Sequence, residues 1–118
     1  MLAVWKEWGL DEILRVAYMS GTIMSGVSAG AICWFESGLT DSWEEELKLL
    51  PCLGFVKGTC VPHYDEEPER RPTTKKLLLE GVVSSMYGIE GGAALHIIDG
   101  KPIKSVCFEH EKFSYLVS

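Results

Sequence analysis

Gly26-Val27-Ser28-Ala29-Gly30 fits the pattern G-x-S-x-G. Small residues there let the chain turn sharply from a strand into a helix and hold a serine hydroxyl above a sheet. Ser28 is the candidate nucleophile. A helix beginning at this serine would turn its first N–H groups and its dipole toward the negative charge that develops in acyl transfer. The nucleophile needs a base, and only His63, His96 and His110 titrate near neutrality without a perturbation. His63 is favoured because it follows an apolar run ending at Pro62. It would stand at the carboxyl edge of an open α/β sheet, where such sheets place their ligands. His96 falls inside a hairpin strand and His110 in a charged segment, where structural or solvated roles prevail.

The base in turn needs an acceptor that orients its ring. Glu90 ends a strand in Tyr87-Gly88-Ile89-Glu90-Gly91-Gly92, and glycines beside it would admit other backbone. The plainer role for Glu90 is a turn residue. Asp41, Asp65, Glu66 and Glu67 compete for the acceptor role, the last three within a charge run of the kind that usually forms a solvated face. Arg70 and Arg71 are candidates to bind an acidic substrate side chain through bidentate hydrogen bonds, against the plainer role of a surface cluster. No H-x-x-x-H or C-x-x-C spacing occurs, so neither a metal nor a cofactor is expected.

The elements that must position these groups are those of a single α/β domain over residues 1–118. Residues 3–19 read as helix in two pieces, broken near Gly9. Thr22 to Val27 reads as a buried strand of a parallel sheet, Ser28 to Phe35 as helix, and Leu53 to Val61 as a second strand. A helix is expected to start at Pro72 and to close at Gly81, followed by a strand over Val82 to Ile89. Asp99-Gly100 between two apolar runs predicts a β-hairpin over 93–108, with Phe113 to Val117 as a further strand. The expected architecture is three layers: a partly parallel sheet flanked by helices, with the hairpin near the C-terminus.

Three motifs occur in order: Gly26-Val27-Ser28-Ala29-Gly30-Ala31, Pro62-His63-Tyr64 and Gly88-Ile89-Glu90-Gly91. Together they resemble the signature of the peptidase E (aspartyl dipeptidase) family, which is itself similar to cyanophycinases and has a fold like that of class I glutamine amidotransferases. The resemblance implies a Ser-His-Glu triad of Ser28, His63 and Glu90, hydrolysis of a peptide bond after an N-terminal aspartate, and Ala29 as one oxyanion donor. Cyanophycinase-like hydrolysis of another amide is the alternative within the enzymes. The chain order of nucleophile, histidine and acid differs from that of lipase-type α/β-hydrolases, in which the acid precedes the histidine.

Family members are nearly twice as long, and the resemblance implies that the N-terminal half of the family fold, with a glycine-rich loop that completes the oxyanion hole, is missing here. Two expectations follow. The strand at 22–27 should present an unpaired apolar edge, suited to a homo-oligomer or to a purely interacting, non-enzymatic module. Loss of one oxyanion donor should cost about 10²–10³ in rate.

Composition bounds the partners. A net charge of −6, a pI near 5.0 and the lack of a basic run argue against nucleic acid. With 47% hydrophobic residues a buried core is feasible, and no apolar run approaches the roughly 20 residues of a membrane span. Cys33, Cys52, Cys60 and Cys107 lie among apolar neighbours, as reduced core thiols do. A short peptide substrate and a cytoplasmic location are expected.

Overall fold

The computed structural model describes residues 1–42 and 45–118. It opens with α1 (Leu2–Glu7) and α2 (Leu10–Met19). They are separated at Gly9, whose φ of 70° is a conformation that glycine adopts without steric cost. Leu2, Trp5 and Leu14 anchor this pair against Cys33, Trp34 and Leu53. Ile13, Val16 and Met19 on α2 stay exposed.

The segment after α2 departs from expectation. Thr22 to Val27 forms no strand, and Ile23 and Val27 are 92% and 82% exposed. A strand exists only through a partner's N–H and C=O groups, and among the described residues none lies alongside this run.

Next come α3 (Ala29–Ile32), β1 (Phe35–Thr40), β2 (Lys48–Pro51) and β3 (Val56–Val61). β1 was hidden in the sequence because Phe35-Glu36-Ser37-Gly38-Leu39-Thr40 neither alternates nor runs apolar. Pairing with β2 and β3 forms it, and a Cβ on Gly38 would lie 2.6 Å from the Ile32 Cβ, so the bare backbone lets α3 sit directly on the strand. The chain continues through α4 (Arg70–Leu79), β4 (Met86–Ile89), β5 (Ala93–Ile98), β6 (Lys101–Cys107) and β7 (Ser114–Val117). α4 starts two residues before Pro72. The first-turn N–H groups of a helix have no intrahelical acceptor, so a proline is tolerated there.

Five strands form one sheet in the order β2-β1-β3-β4-β7, with β1, β3 and β4 parallel and both edge strands antiparallel. The hairpin β5-β6 is separate, and its turn is Asp99-Gly100 with φ of 51° and 72°. One sheet face packs Leu39, Val61 and Met86 against Leu77 and Leu78 of α4. The other packs Phe35, Val56 and Cys60 against Ile32 of α3 and Leu95 and Ile97 of β5. The fold is therefore α/β in three layers with a hairpin near the C-terminus. Three parallel strands end at one edge, and Asp41, His63 and Glu90 each follow one of them by a residue or two.

Candidate active site

Ser28 is held at the entry to α3 with φ 56° and ψ −118°, a region that non-glycine residues rarely occupy. The turn is tied by Gly30 N–H donating to Val27 O (2.9 Å) and by Ala31 and Ile32 N–H donating to Ser28 O (3.0 and 3.1 Å). Gly26 is required sterically, since a Cβ there would stand 1.9 Å from Gly30 O. α3 is a single turn, so what it supplies is free N–H groups rather than a sizeable dipole. The Ala29 N–H donates to no acceptor among the described residues.

His63 emerges just past β3 and also has a positive φ, 54°. The turn behind it is closed by Glu66 and Glu67 N–H donating to His63 O (3.1 and 3.2 Å), while Tyr64 N–H donates to Ile89 O (3.0 Å) and carries the β3–β4 pairing onward. This places His63 Nε2 2.9 Å from Ser28 Oγ. His63 Nδ1 lies 2.6 Å from Glu66 Oε2. Of the other histidines, His96 is exposed on β5 and His110 stands in solvent beside Glu111.

Glu90, expected from the sequence to orient the ring, has its hydrogen bonds elsewhere. Oε1 accepts from Arg71 Nη2 (2.6 Å) and Oε2 from the Phe113 N–H (3.0 Å), so the carboxylate ties α4 to the start of β7. Arg71 is taken up by this pair and lies over the Tyr64 ring, 4.5 Å from its centroid, with its side chain half exposed. Arg70 needs a firmer correction as a substrate ligand. It is 3% exposed and spends its guanidinium on Glu67 (2.6 Å) and on Leu39 O.

Glu66 was one of five competing carboxylates in the sequence, and its signal was the three-residue spacing from His63 within a turn. A neighbouring set fixes the loop after β4: Asp65 Oδ1 accepts from the Gly91 N–H (2.9 Å), and Asp65 also binds Lys112. The Lys112 ammonium holds the Asp65 carboxyl below its usual range. Burial pushes the Cys33 and Cys52 thiols up to about 11 and raises Cys60 further, while Cys107 is exposed. All four cysteines are unpaired.

Two spaces flank the serine. One is a large cleft of about 980 Å³ between residues 21–28, the Glu90-Gly91-Gly92 loop and β5, with His63 and Glu66 on its wall. The other is a recess of about 100 Å³ bounded by Thr40, Asp41, Glu67 and Arg70. A hydroxyl against an imidazole, beside an unused N–H and an open cleft, is the equipment of nucleophilic acyl transfer. Among the described residues, no helix is long and apolar enough to cross a membrane.

Comparison with known proteins places the chain in a family. The model of peptidase family S51 matches residues 1–104, a span that includes Ser28, His63, Glu66 and Glu90. Over 106 residues the chain is 48% identical to an uncharacterized peptidase, YgaJ, of Bacillus subtilis (strain 168), an alignment that covers 90% of this chain and 46% of that protein. The chain thus spans about half the length of the curated relative it matches. It belongs to peptidase family S51.

Proposed function

We propose that this chain carries serine-type peptidase chemistry on short peptides, with Ser28 as nucleophile and His63 as general base and then general acid. The observation that supports this most is the 2.9 Å approach of Ser28 Oγ to His63 Nε2, made by two residues that both hold a positive φ. Such conformations cost of order 1–3 kcal/mol each and persist where the surroundings over-determine them.

In this reading Ser28 Oγ attacks the scissile carbonyl carbon while His63 Nε2 accepts the hydroxyl proton. The carbonyl oxygen becomes an oxyanion facing the Ala29 N–H. When the C–N bond breaks, His63 returns the proton to the leaving amine, which leaves an acyl ester on Ser28. Water, deprotonated by the same imidazole, attacks the ester carbonyl; the bond to Ser28 Oγ breaks, His63 returns the proton to that oxygen, and the acid is released.

The preference for an N-terminal aspartate rests on the likeness of the three motifs to peptidase E. Arg71 is the cation we assign to the acidic side chain, and the substrate would compete with Glu90 for it. The unpaired thiols fit a reducing cytoplasm. Hydrolysis of Asp-Leu and Ala-Leu by purified protein, beside Ser28→Ala, tests this. Turnover of Asp-Leu alone, abolished in the variant, is expected; no turnover from a folded sample contradicts it.

A second reading is favoured by the exposed run from Thr22 to Val27, whose backbone has no strand partner. It is an interaction module in which that edge pairs with a second copy of the chain. A dimer in size-exclusion chromatography, without turnover, is its signature.

A further inference from the structure

We propose that Asp65 and Lys112 are positioning residues for the reaction, holding the loop Glu90-Gly91-Gly92 in place against the turn that carries His63. This rests on the reading of Ser28 and His63 as nucleophile and base.

His63 and Asp65 belong to one turn, which Glu66 and Glu67 N–H close by donating to His63 O. Asp65 reaches out of that turn, and its Oδ1 accepts the Gly91 N–H at 2.9 Å. Its Oδ2 takes the Lys112 ammonium. Lys112 in turn precedes Phe113, whose N–H donates to Glu90 Oε2 at 3.0 Å and whose carbonyl accepts the Glu90 N–H at 3.2 Å. The contacts close a ring through the histidine turn, Asp65, Lys112, Phe113, Glu90 and Gly91. The Asp65 side chain is only 17% exposed, so water and salt screen this carboxylate less than one on the open surface.

The loop depends on such a brace. The β4–β7 ladder ends at Ile89 and Ser114, and β5 belongs to the separate hairpin. Between them stand two successive glycines, whose backbone costs the most entropy to hold in one conformation. The position of the loop bears on the chemistry because Glu90, the acid that the three motifs point to, lines the same cleft as His63. A carboxylate near the ring favours the imidazolium that forms when His63 takes the Ser28 proton. A loop that drifts from the histidine turn withdraws that charge. The other charged groups around His63 are Glu66 in its own turn, Asp41 after β1, and Glu67 and Arg70, which pair at the start of α4. Those around Lys112, besides Asp65, are Glu90 and Glu109.

The test separates positioning from plain stability. The rate of Ser28 labelling by a fluorophosphonate, the imidazole titration of His63 in ¹H–¹⁵N spectra, and Tm are measured for wild type, Asp65→Ala, Lys112→Met and Lys112→Arg, all confirmed folded by circular dichroism. A misplacement of about 1 Å can cost 10²-fold in rate, so Asp65→Ala should label at least about 10-fold more slowly, with a lowered His63 pKa. Lys112→Met keeps the Gly91 bond and should move both readouts the same way by less, which carries the test even where Asp65→Ala does not fold. Lys112→Arg should return both to wild type. A lowered Tm in Asp65→Ala or Lys112→Met, with labelling rate and imidazole titration unchanged, makes the pair merely structural and overturns this proposal alone. A Ser28 that is never labelled in wild type overturns the serine reading, and this proposal with it.

Discussion

Ser28 Oγ and His63 Nε2 lie 2.9 Å apart although 35 positions separate them in the chain. Two local constructions bring them together. One is a one-turn helix seated on β1 through the bare Cα of Gly38; the other is a tight turn at the carboxyl end of β3. Each construction leaves its residue of the pair at a positive φ, so the approach depends on backbone geometry more than on side-chain reach.

Gly26 is the position most exposed to that dependence. Gly26→Ala puts a methyl where Gly30 O now lies, 1.9 Å away, and the turn must open to accommodate it. A displacement of about 1 Å can cost 10²-fold in rate. Fluorophosphonate labelling of Ser28 in Gly26→Ala should slow by at least about that factor, while circular dichroism retains the α/β signature. Unchanged labelling would show that the turn is not what presents the hydroxyl.

Arg70 and Arg71 should separate cleanly. Arg70→Met leaves Leu39 O without its donor under α4, a loss of about 1–3 kcal/mol in unfolding free energy by urea titration. If Arg70 bound substrate instead, the variant would keep its stability and raise KM. Arg71→Met should raise KM for an Asp-X peptide.

How much of this was legible in the sequence depended on whether the signal was local. The hairpin was, because Asp99-Gly100 fixes its own turn, and so was the break at Gly9. Ser28 and His63 were legible as residue types in a context. β1 was not, since Glu36, Ser37 and Gly38 look like loop and become strand by pairing with β2 and β3, while the bare Gly38 admits Ile32. Thr22 to Val27 failed in the opposite sense: its composition suits a strand, but a strand needs a neighbour. Glu66 sat in an acidic run that looked merely solvated, and only the fold shows which carboxylate of that run turns back onto the ring. Arg70 likewise looked like surface charge, yet it is buried and donates to Leu39 O.

The four cysteines give a test of burial that is independent of function. Thiolates react and thiols do not, and Cys33, Cys52 and Cys60 are all held protonated well above their ordinary value by burial. At pH 8 the native protein should take up one equivalent of a maleimide, at Cys107, and four after denaturation. Rapid modification of Cys60 in the native state would contradict the packing of β3.

The Asp65–Lys112 pair carries a pH signature. Asp65 is lowered in the folded state, chiefly by its hydrogen bond to Lys112, so its contribution is present above the ordinary value of 3.8 and is lost as pH falls through the folded value. Lys112 is raised by the same bond, so its contribution is present below 10.5 and is lost as pH rises past it. Asp65→Asn should therefore lower Tm at pH 7, and the gap to wild type should close toward pH 2. A gap that stays constant across that range would remove the ion pair as its cause.

The most direct test of the central claim is intact-mass analysis after exposure to a fluorophosphonate, for the wild-type chain, Ser28→Ala and His63→Ala. A single adduct mapped to Ser28 in the wild type, absent from Ser28→Ala and strongly slowed in His63→Ala, is the expected result. An adduct that persists in Ser28→Ala, or that forms at the wild-type rate without His63, would contradict an activated serine at this site.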